Sequence, residues 1–415
     1  MDMNDNLTRI GDSFTVAIGG TPSRKRKEFW DHDKKTRNVW VSIRDISGAS
    51  GTNIFDSAEY ISDEGAANSN VKLIPENVAL MTFKLTVGKT IVTGAPLYTN
   101  EAIAAFLPRP GVEADPYYLA AVLPTLNYDV DTAVKGKTLN KAKIENALLP
   151  LPGIKLQKRI AEILRSINDS LLMTQRTIGE AQKLKEGLMR QLFSTGVGHT
   201  EFTQSDLGKI PANWRVGGFS DYTDLTNKDA IKPGPFGSSI KKQNYVASGY
   251  KIYGQEQVIA GDPFWGDYYI TAQKYEELKP FKVSAGDILM SLVGTIGKVL
   301  IVPENFEEGI INPRLIKITP DRSKATPQFI AYLLASSMVK RQLRSKSHGG
   351  TMDIINKGML MSVSVPIIPL DEQKKIVEIL LAIDQKISIN KEIEKQQKNL
   401  RKGLIQDILS GRTRL

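Results

Sequence analysis

Two short sequences resemble part of a phosphate-binding loop, the backbone cradle that holds nucleotide phosphates. Gly-Lys-Thr occurs at residues 88–90 and again at residues 136–138. Such a loop also needs a glycine five positions before the glycine of Gly-Lys, because the backbone must approach the phosphates closely. The chain has Phe83 and Asp131 at those positions. Neither sequence is therefore predicted to bind a nucleotide.

Acidic residues that could take part in catalysis have simpler explanations. The sequence DPYY (residues 115–118) lacks the second proline of the Asp-Pro-Pro-Tyr motif with which amino-methyltransferases hold a target base. Residues 326–327 (TP) occupy the equivalent place in the second half of the chain, so both are predicted to be helix starts, with an N-cap residue before proline. The adjacent Glu276 and Glu277 are typical of a solvated helix end.

Metal ligands and disulfide partners are scarce. The sequence contains no cysteine, and its three histidines, His32, His199 and His348, are far apart. This composition excludes disulfides and thiolate zinc sites, and we expect no structural metal. Since no catalytic constellation is evident, we also expect that the chain is not an enzyme.

The charge of the chain favours a polyanionic partner. Its 415 residues include 55 lysines and arginines and 45 aspartates and glutamates, which give a net charge of +10. Cationic side chains that neutralise phosphates release counterions, and this release favours binding to nucleic acid. The chain has no apolar run of about 18 residues, and its first residues show neither the basic nor the apolar region that is typical of a signal peptide. We therefore expect a cytoplasmic protein with two or three packed domains and no membrane partner.

The elements that must position any binding residues occur twice. DEQKKIVEIL (residues 371–380) resembles KLQKRIAEIL (residues 155–164), and the two copies keep an offset of 216 residues from Pro150 to Ser194 without a gap. Each copy opens with a proline-bearing segment and continues for about 40 residues without proline. Proline is tolerated at a helix start and not in its interior, so the pattern predicts two long helices.

Apolar residues recur at intervals of seven along both helices, which is the spacing of a coiled-coil seam. An ordinary surface helix is the alternative, although such helices average only about 11 to 12 residues. Polar positions in the middle of the seam are expected to fix its register; they are Thr174, Asn390, Glu394 and Gln397. The outer faces are expected to dock partner helices through Leu172, Met173, Met189, Phe193, Ile389 and Ile393. The predicted seam residues are Ile160, Leu164, Ile167, Leu171, Ile178, Leu188, Leu192, Ile376, Leu380, Ile383, Ile387, Leu404 and Ile408.

The remaining sequence repeats more weakly, as LMTFKLTVGK (residues 80–89) and LMSLVGTIGK (residues 289–298) illustrate. The first helix would carry the chain about 60 Å at 1.5 Å per residue, and folding the second helix back against it would cover both seams. The pattern predicts two similar globular domains separated by two long antiparallel coiled-coil helices and related by a pseudo-twofold axis. The predicted segments are a first domain (residues 1–148), a spacer helix (149–197), a linker (198–215), a second domain (216–365) and a second spacer helix (366–415).

Six segments of the chain match the pattern of a known family. They are PIIPLDEQKKIVEILLAID (residues 366–384), LGKIPANW (207–214), PGPFGSSIKKQNYVASG (233–249), GDILMSLVGTIGK (286–298), INPRLI (311–316) and HGGTM (348–352). Over nearly its full length the chain resembles the specificity subunit of a type I restriction-modification system. The first half departs from this pattern, since it has Lys155-Leu156 where the second copy has Asp371-Glu372, and it has no counterpart of the Gly-x-Ile-Pro-x-x-Trp lead-in before Leu7.

The resemblance implies an α+β fold class with two mixed α/β target-recognition domains, each of which reads one half of a bipartite, asymmetric site in double-stranded DNA. It also implies that two methylation (M) subunits dock on the helices, that restriction and translocation (R) subunits join them, and that helix length sets the gap between half-sites. S-adenosylmethionine and ATP are then expected on the partner subunits only. A specificity module of a self-contained methyltransferase or nuclease is disfavoured, because the cofactor-binding and base-clamping motifs are missing. A coiled-coil scaffold that binds protein partners only stays open as the alternative.

Loop residues with cationic or amide groups are the predicted DNA contacts, because phosphate contacts position a protein and base contacts specify sequence. Arg44 is the predicted base reader, since arginine can bind guanine with two hydrogen bonds; a surface ion pair with Asp45 is the alternative. For Arg24 to Lys27, and for Arg341 and Arg344, the alternative is a merely solvated face. The remaining candidates are Arg24, Lys25, Arg26, Lys27, Lys137, Thr138, Ser238, Ser239, Lys241, Lys242, Gln243, Arg314, Arg341, Arg344, Lys346 and His348.

Overall fold

A computed structural model describes residues 7–49, 51–128, 131–133, 136–293, 298–346 and 355–409. The chain divides into two compact units. Unit 1 consists of Met1–Arg176 and Asn390–Leu415, and unit 2 consists of Thr177–Ile389. Each unit therefore combines one lobe with parts of the two long helices.

The lobe of unit 1 is built from short strands and short helices. Its elements are β1 (Leu7–Arg9), α1 (Ile10–Ser13), β2 (Phe14–Ile18), β3 (Val39–Val41), α2 (Ile43–Gly48), β4 (Asn53–Ile54), β5 (Glu59–Tyr60), α3 (Asp63–Ala67), β6 (Ala79–Thr82), β7 (Thr90–Thr93), β8 (Tyr98–Thr99), β9 (Ile103–Pro108), α4 (Pro116–Val122), β10 (Asp131–Ala133), β11 (Gly136–Thr138), α5 (Lys141–Asn146) and β12 (Leu148–Pro150), followed by the long helix α6 (Ile154–Thr195).

The lobe of unit 2 precedes the second long helix. Its elements are β13 (Phe202–Ser205), β14 (Gly208–Pro211), β15 (Arg215–Gly217), β16 (Ile231–Pro233), β17 (Tyr250–Tyr253), α7 (Gln255–Ala260), β18 (Tyr269–Ile270), α8 (Ala272–Glu277), β19 (Ile288–Ser291), β20 (Val299–Ile301), β21 (Gly309–Ile311), β22 (Leu315–Ile318), α9 (Pro327–Ala335), α10 (Ser337–Lys346), α11 (Lys357–Met361) and β23 (Val365–Ile367), followed by α12 (Leu370–Leu409).

The two lobes share one sheet topology, which confirms the predicted internal repeat. The main sheet has the order β2-β9-β6-β7-β4 in unit 1 and β16-β22-β19-β20 in unit 2. A second sheet has the order β5-β3-β8 in unit 1 and β18-β17-β21 in unit 2, with the last pair parallel in both. The α+β class with two mixed lobes and two long helices is therefore confirmed.

Alternate residues of the central strands enter different cores. In β6, Met81 faces a core formed with α4 and α6, whereas Leu80 faces a core formed with the three-stranded sheet. In β19, Met290 and Leu289 are divided in the same way. A strand with both faces covered reads as a continuous apolar run, which is why β6 and β19 show little alternation.

The two long helices run antiparallel where their polar residues meet in unit 1. Gln397 of α12 donates a hydrogen bond to Ser170 of α6 at 2.8 Å, and Gln175 of α6 donates to Glu394 of α12 at 2.9 Å. Residue numbers thus rise along one helix as they fall along the other. The buried Thr174 instead donates to the carbonyl of Ser170.

The helix ends pack on the lobes as well as on each other. Met189 and Phe193 are 7% and 3% exposed in the core of unit 2, so the expectation that they dock a partner is wrong. Ile405 was missed by the heptad pattern but lies in the core of unit 1 with Ile160 and Ile408. Packing against both a helix and a lobe buries an arc wider than the two seam positions of a coiled coil. Of the predicted seam, Ile167, Leu171, Leu188, Ile383 and Leu404 are only half-buried.

A buried glutamine explains why the two helix starts share their sequence. The amide of Gln157 donates to the carbonyl of Pro152 at 2.7 Å, and its oxygen accepts from the backbone N–H of Asp115 at 2.9 Å. The amide of Gln373 donates to the carbonyl of Ile368 at 2.9 Å, and its oxygen accepts from the N–H of Thr326 at 3.3 Å. Each glutamine therefore joins a long helix to the loop before α4 or α9. Asp115 and Thr326 are the N-caps of those helices, as predicted.

In unit 2 an acid at the start of the long helix and the tryptophan of the lead-in sequence belong to one network. The carboxylate of Glu372 accepts hydrogen bonds from the indole N–H of Trp214 at 2.9 Å and from the backbone N–H of Val197 at 3.0 Å. His199 lies 2.7 Å from the same carboxylate. The first helix start has Leu156 in place of the acid.

Candidate nucleic-acid interface

The basic run of the first lobe divides into one fixed arginine and three exposed neighbours. The Arg24 guanidinium lies 3.7 Å from the ring centroid of Trp30 and bonds both carboxylate oxygens of Glu59. The hydrogen bond that Arg24 donates to Glu59 raises the pKa of Arg24 above its ordinary value. Arg26 lies over the ring of Phe29, whereas Lys25 and Lys27 extend from the surface.

Arg44 lies at the exposed start of α2. Its neighbour Asp45 closes the first turn, because the N–H of Ser42 donates to one carboxylate oxygen at 2.8 Å and the N–H of Ala58 donates to the other at 3.0 Å. Among the described residues no ion pair joins Arg44 to Asp45. Arg44 lines a groove of about 490 Å³ together with Phe55, an aromatic side chain that is 64% exposed.

The second lobe builds the same turn with different chemistry. The N–H of Gly254 donates to the side chain of Gln257 at 2.8 Å, which closes the first turn of α7 as Asp45 closes that of α2. Glu256 stands where the first lobe has Arg44. The arginine of this region is Arg314, from the segment between β21 and β22, and its guanidinium approaches the side chain of Gln255 at 3.5 Å.

The loop between β16 and β17 exposes polar and aromatic side chains. Lys241, Lys242 and Gln243 are exposed, and the N–H of Lys241 donates to the Asn244 side chain at 2.8 Å, which fixes the turn. Ser239 is half-buried. The side chain of Ser238 lies outside the described part of the chain.

An aromatic surface of the second lobe was missed from the sequence. Phe264, Trp265 and Tyr268 lie between α7 and β18, and each is about half exposed. The buried ammonium of Lys251 holds this segment, since it donates to the carbonyl of Phe264 at 3.1 Å and pairs with Glu307 at 2.6 Å. The signal was the sequence FWGDYY at residues 264–269, where four aromatic residues surround a glycine. Exposed aromatic rings can stack on bases or fill a groove.

Three predicted DNA contacts, Arg341, Arg344 and Lys346, lie on α10, which is not part of the three-stranded sheet. Arg341 is exposed and lines a groove of about 300 Å³ with Lys340 and Arg190. Burial and the charge of Arg344 lower the pKa of Lys340. The Lys346 ammonium donates to the carbonyl of Ser362 at 2.6 Å, at the end of α11, so this side chain has a structural contact.

The remaining candidates are only partly within the described structure. Lys137 lies in β11 opposite Thr132 of β10, and Thr138 lies opposite Asp131. Their side chains are outside the described structure, and His348 lies outside it entirely.

The second sheet of unit 1 brings two of the predicted contacts near each other. Arg24 lies over the ring of Trp40 in β3, and β3 leads directly into α2, which carries Arg44.

The described residues contain neither a metal-binding cluster nor a membrane-spanning helix. No group of three or more histidine, aspartate or glutamate side chains in these ranges could hold a metal ion. None of the described helices combines the length and the apolar character that a membrane crossing requires.

The chain matches known proteins in both of its halves. The family model of the type I restriction modification DNA specificity domain matches residues 6–182 and 220–399. The putative type I restriction enzyme MjaX specificity subunit of Methanocaldococcus jannaschii is 29% identical over 340 residues, which cover 79% of this chain and 76% of that protein.

Two solved structures share the fold. The S subunit of a type I restriction-modification system from M. genitalium aligns with a TM-score of 0.52 at 12% identity, over 97% of this chain and 95% of that one. A chain solved in work on complex assembly and conformational transition of the type I R-M system aligns with a TM-score of 0.58 at 18% identity, over 98% of both. Because the family model covers most of the sequence in two copies, this chain belongs to the type I restriction-modification specificity subunits.

Proposed function

We propose that each lobe reads one half of a bipartite, asymmetric site in double-stranded DNA. The observation that carries this proposal is the repeated turn after β3 and β17, where one backbone presents Arg44 in the first lobe and Glu256 in the second. Arginine donates hydrogen bonds to guanine, whereas glutamate accepts one from cytosine. Lobes with one topology and different exposed side chains suit half-sites of different sequence.

The helices α6 and α12 set the gap between half-sites and carry the methylation subunits. Apolar side chains on these helices support the second role, because Met173 is 68% exposed and Ile389 is 61% exposed. Partner helices would cover such residues. Two methylation subunits bind there, and restriction subunits join the assembly. The chain itself is non-catalytic, and S-adenosylmethionine and ATP bind to its partners.

Sequencing the methylated genome of a host that expresses this chain with its partner subunits tests the proposal. A split motif with a fixed gap is expected, with unlike halves. A continuous motif, or a palindromic one, would contradict two lobes that read separate half-sites.

The remaining rival is a scaffold that binds proteins only. The net charge of +10 favours DNA binding, and salt-sensitive retention on DNA by the chain mixed with its methylation subunit is expected. Retention that salt does not alter, or no retention by the complex, would favour the scaffold.

A further inference from the structure

A small cavity in unit 1 lies where the lobe meets both long helices. Its volume is about 140 Å³, and it lies between α4, β7, α6 and α12. Ala121 of α4, Asn168 and Arg165 of α6, and Arg401 of α12 contribute to its wall. A water molecule occupies about 30 Å³ of the liquid, so the cavity has room for a tetrahedral oxyanion.

The cavity holds positive charge without a matching acid. The Nε atom of Arg401 is buried and has no hydrogen-bond partner, and no ion pair to this residue occurs within the described ranges. Burial lowers the pKa of Arg401, and no neighbouring acid opposes that effect. Arg165 lies over the ring of Tyr117, with 4.7 Å between its guanidinium carbon and the ring centroid. No aspartate or glutamate is among the lining residues.

The equivalent place in unit 2 contains the missing acid. The offset of 216 residues relates Arg401 to Lys185 and Asn168 to Asp384. The Lys185 ammonium lies 2.6 and 2.7 Å from the two carboxylate oxygens of Asp384. Unit 2 thus neutralises its cation with a carboxylate on the facing helix.

An aromatic ring completes the arrangement in unit 2. Tyr332 of α9 donates a hydrogen bond to Asp384 at 2.7 Å, and its ring lies 5.0 Å from the Lys185 ammonium. Counting from the proline that starts each helix, Ala121 of α4 is equivalent to Tyr332. The first copy therefore lacks both the carboxylate and the ring, and the cavity occupies the space that they would fill.

We propose that the cavity of unit 1 binds one small oxyanion of the size of phosphate, which supplies the charge that Asp384 supplies in unit 2. The Arg401 guanidinium and the Asn168 amide, which both line the cavity, are its donors, because both carry N–H groups suited to an oxyanion. Because these residues lie on different helices, the bound anion joins α6 to α12 beside the lobe. Arg401 is half-buried and its Nε atom has no partner, which is costly, so an anion beside the guanidinium also stabilises this part of unit 1.

Phosphorus NMR of inorganic phosphate with the full-length chain tests this site, with chloride holding the ionic strength constant. Saturable binding of one phosphate per chain is expected. Asn168→Asp installs the carboxylate of unit 2 and should weaken phosphate binding at least tenfold, while raising the thermal midpoint in chloride. Direct binding is the primary readout, because phosphate stabilises many proteins by exclusion from their surfaces.

Two further variants separate the cavity from the rest of the chain. Ala121→Tyr fills the cavity with the equivalent ring and should also remove binding. Asp384→Asn is the matched control in unit 2. Tyr332 still fills the equivalent space in that unit, so the variant should bind phosphate as the unaltered chain does. Far-ultraviolet circular dichroism identifies any variant that does not fold. The proposal is overturned if the unaltered chain binds no phosphate saturably, or if folded Asn168→Asp and Ala121→Tyr bind it as the unaltered chain does; water would then occupy the cavity.

Discussion

The residues at the start of α2 and α7 show how one backbone can present different chemistry to DNA. A capping hydrogen bond closes the first turn of each helix, through Asp45 in one lobe and Gln257 in the other. The cap fixes where the preceding side chain emerges. Arg44 and Glu256 are both exposed at that position, so base preference can change there without a change in fold.

Arg44→Ala is expected to relax base preference at one position of one half-site. Losing a two-bond contact to guanine removes about 1–3 kcal/mol of discrimination against the wrong base pair. Competition binding by the assembled methylating complex, with every base pair of the site changed in turn, measures this effect. An equal loss of affinity for all sequences would assign Arg44 to a phosphate instead.

Lys242→Ala provides the contrasting outcome. This exposed lysine is a predicted phosphate contact, so its loss should weaken binding to all sequences by a similar factor and reduce the slope of log affinity against log salt by about 1. Unchanged affinity and slope would remove Lys242 from the interface.

Lys317→Met should destabilise unit 2 by about 3 kcal/mol, because it leaves the carboxylate of Asp287 buried without its cation. Both residues are buried, and their charged groups lie 3.8 Å apart. Burial raises the pKa of Asp287 in the folded state. A group with a raised pKa contributes its full stability at a pH below its unfolded-state pKa, and this stability is lost as the pH rises through its folded-state pKa. The defect should therefore be larger at pH 7 than at pH 4.

Denaturant unfolding at the two pH values measures this defect. The double variant Lys317→Met with Asp287→Leu is the control, and it should recover much of the loss because no buried charge remains. A defect of the same size at both pH values would show that Asp287 is not the cause.

At the scale of elements, each long helix is joined to its lobe by a few buried polar contacts. Gln157 and Gln373 are almost completely buried, and each satisfies backbone groups of two loops. Because a loop cannot bury unpaired backbone groups without cost, a side chain of this length and polarity is required at both positions.

Gln373→Leu is expected to destabilise unit 2 by about 2–3 kcal/mol, since it leaves the N–H of Thr326 and two carbonyls without a partner. Chemical denaturation of the full chain measures the change. Gln385→Leu is the matched control, because Gln385 is exposed on the same helix, and it should change stability by less than about 0.5 kcal/mol. Equal effects of the two substitutions would contradict the assigned role.

At the scale of the whole molecule, the proposed spacer role predicts how the recognised site responds to helix length. Inserting seven residues at matched places in α6 and α12, near Arg176 and Asn390, preserves the seam and lengthens each helix by about 10 Å. DNA rises 3.4 Å per base pair, so the gap should grow by about three base pairs while both half-sites stay the same.

Methylome sequencing with the lengthened chain measures the gap. A four-residue insertion in α6 alone is the control, and it should abolish methylation because it breaks the seam. An unchanged gap after the matched insertion would show that the helices do not set it.

Repetition along the chain was sufficient to predict the architecture. Helical periodicity and helix-start signals are local, so the sequence alone predicted α6, α12 and the helix starts at Pro116 and Pro327. The same local signals predicted that Asp115 caps α4, where its side chain accepts hydrogen bonds from the N–H groups of Tyr117 and Tyr118. The repeat of the lobes followed from short matches at one offset.

Contacts between distant segments could not be read from the sequence. Met189 and Phe193 appeared to be an exposed stripe because periodicity does not show that a lobe covers the helix end. The sequence did not distinguish Arg24 from the three basic residues that follow it, because Glu59 and Trp30 contact it only in the folded chain. The cavity beside Arg401 depends on one missing ring and one missing charge on separate elements. Local periodicity is encoded between near neighbours, whereas burial and charge pairing depend on which distant residues the fold places in contact.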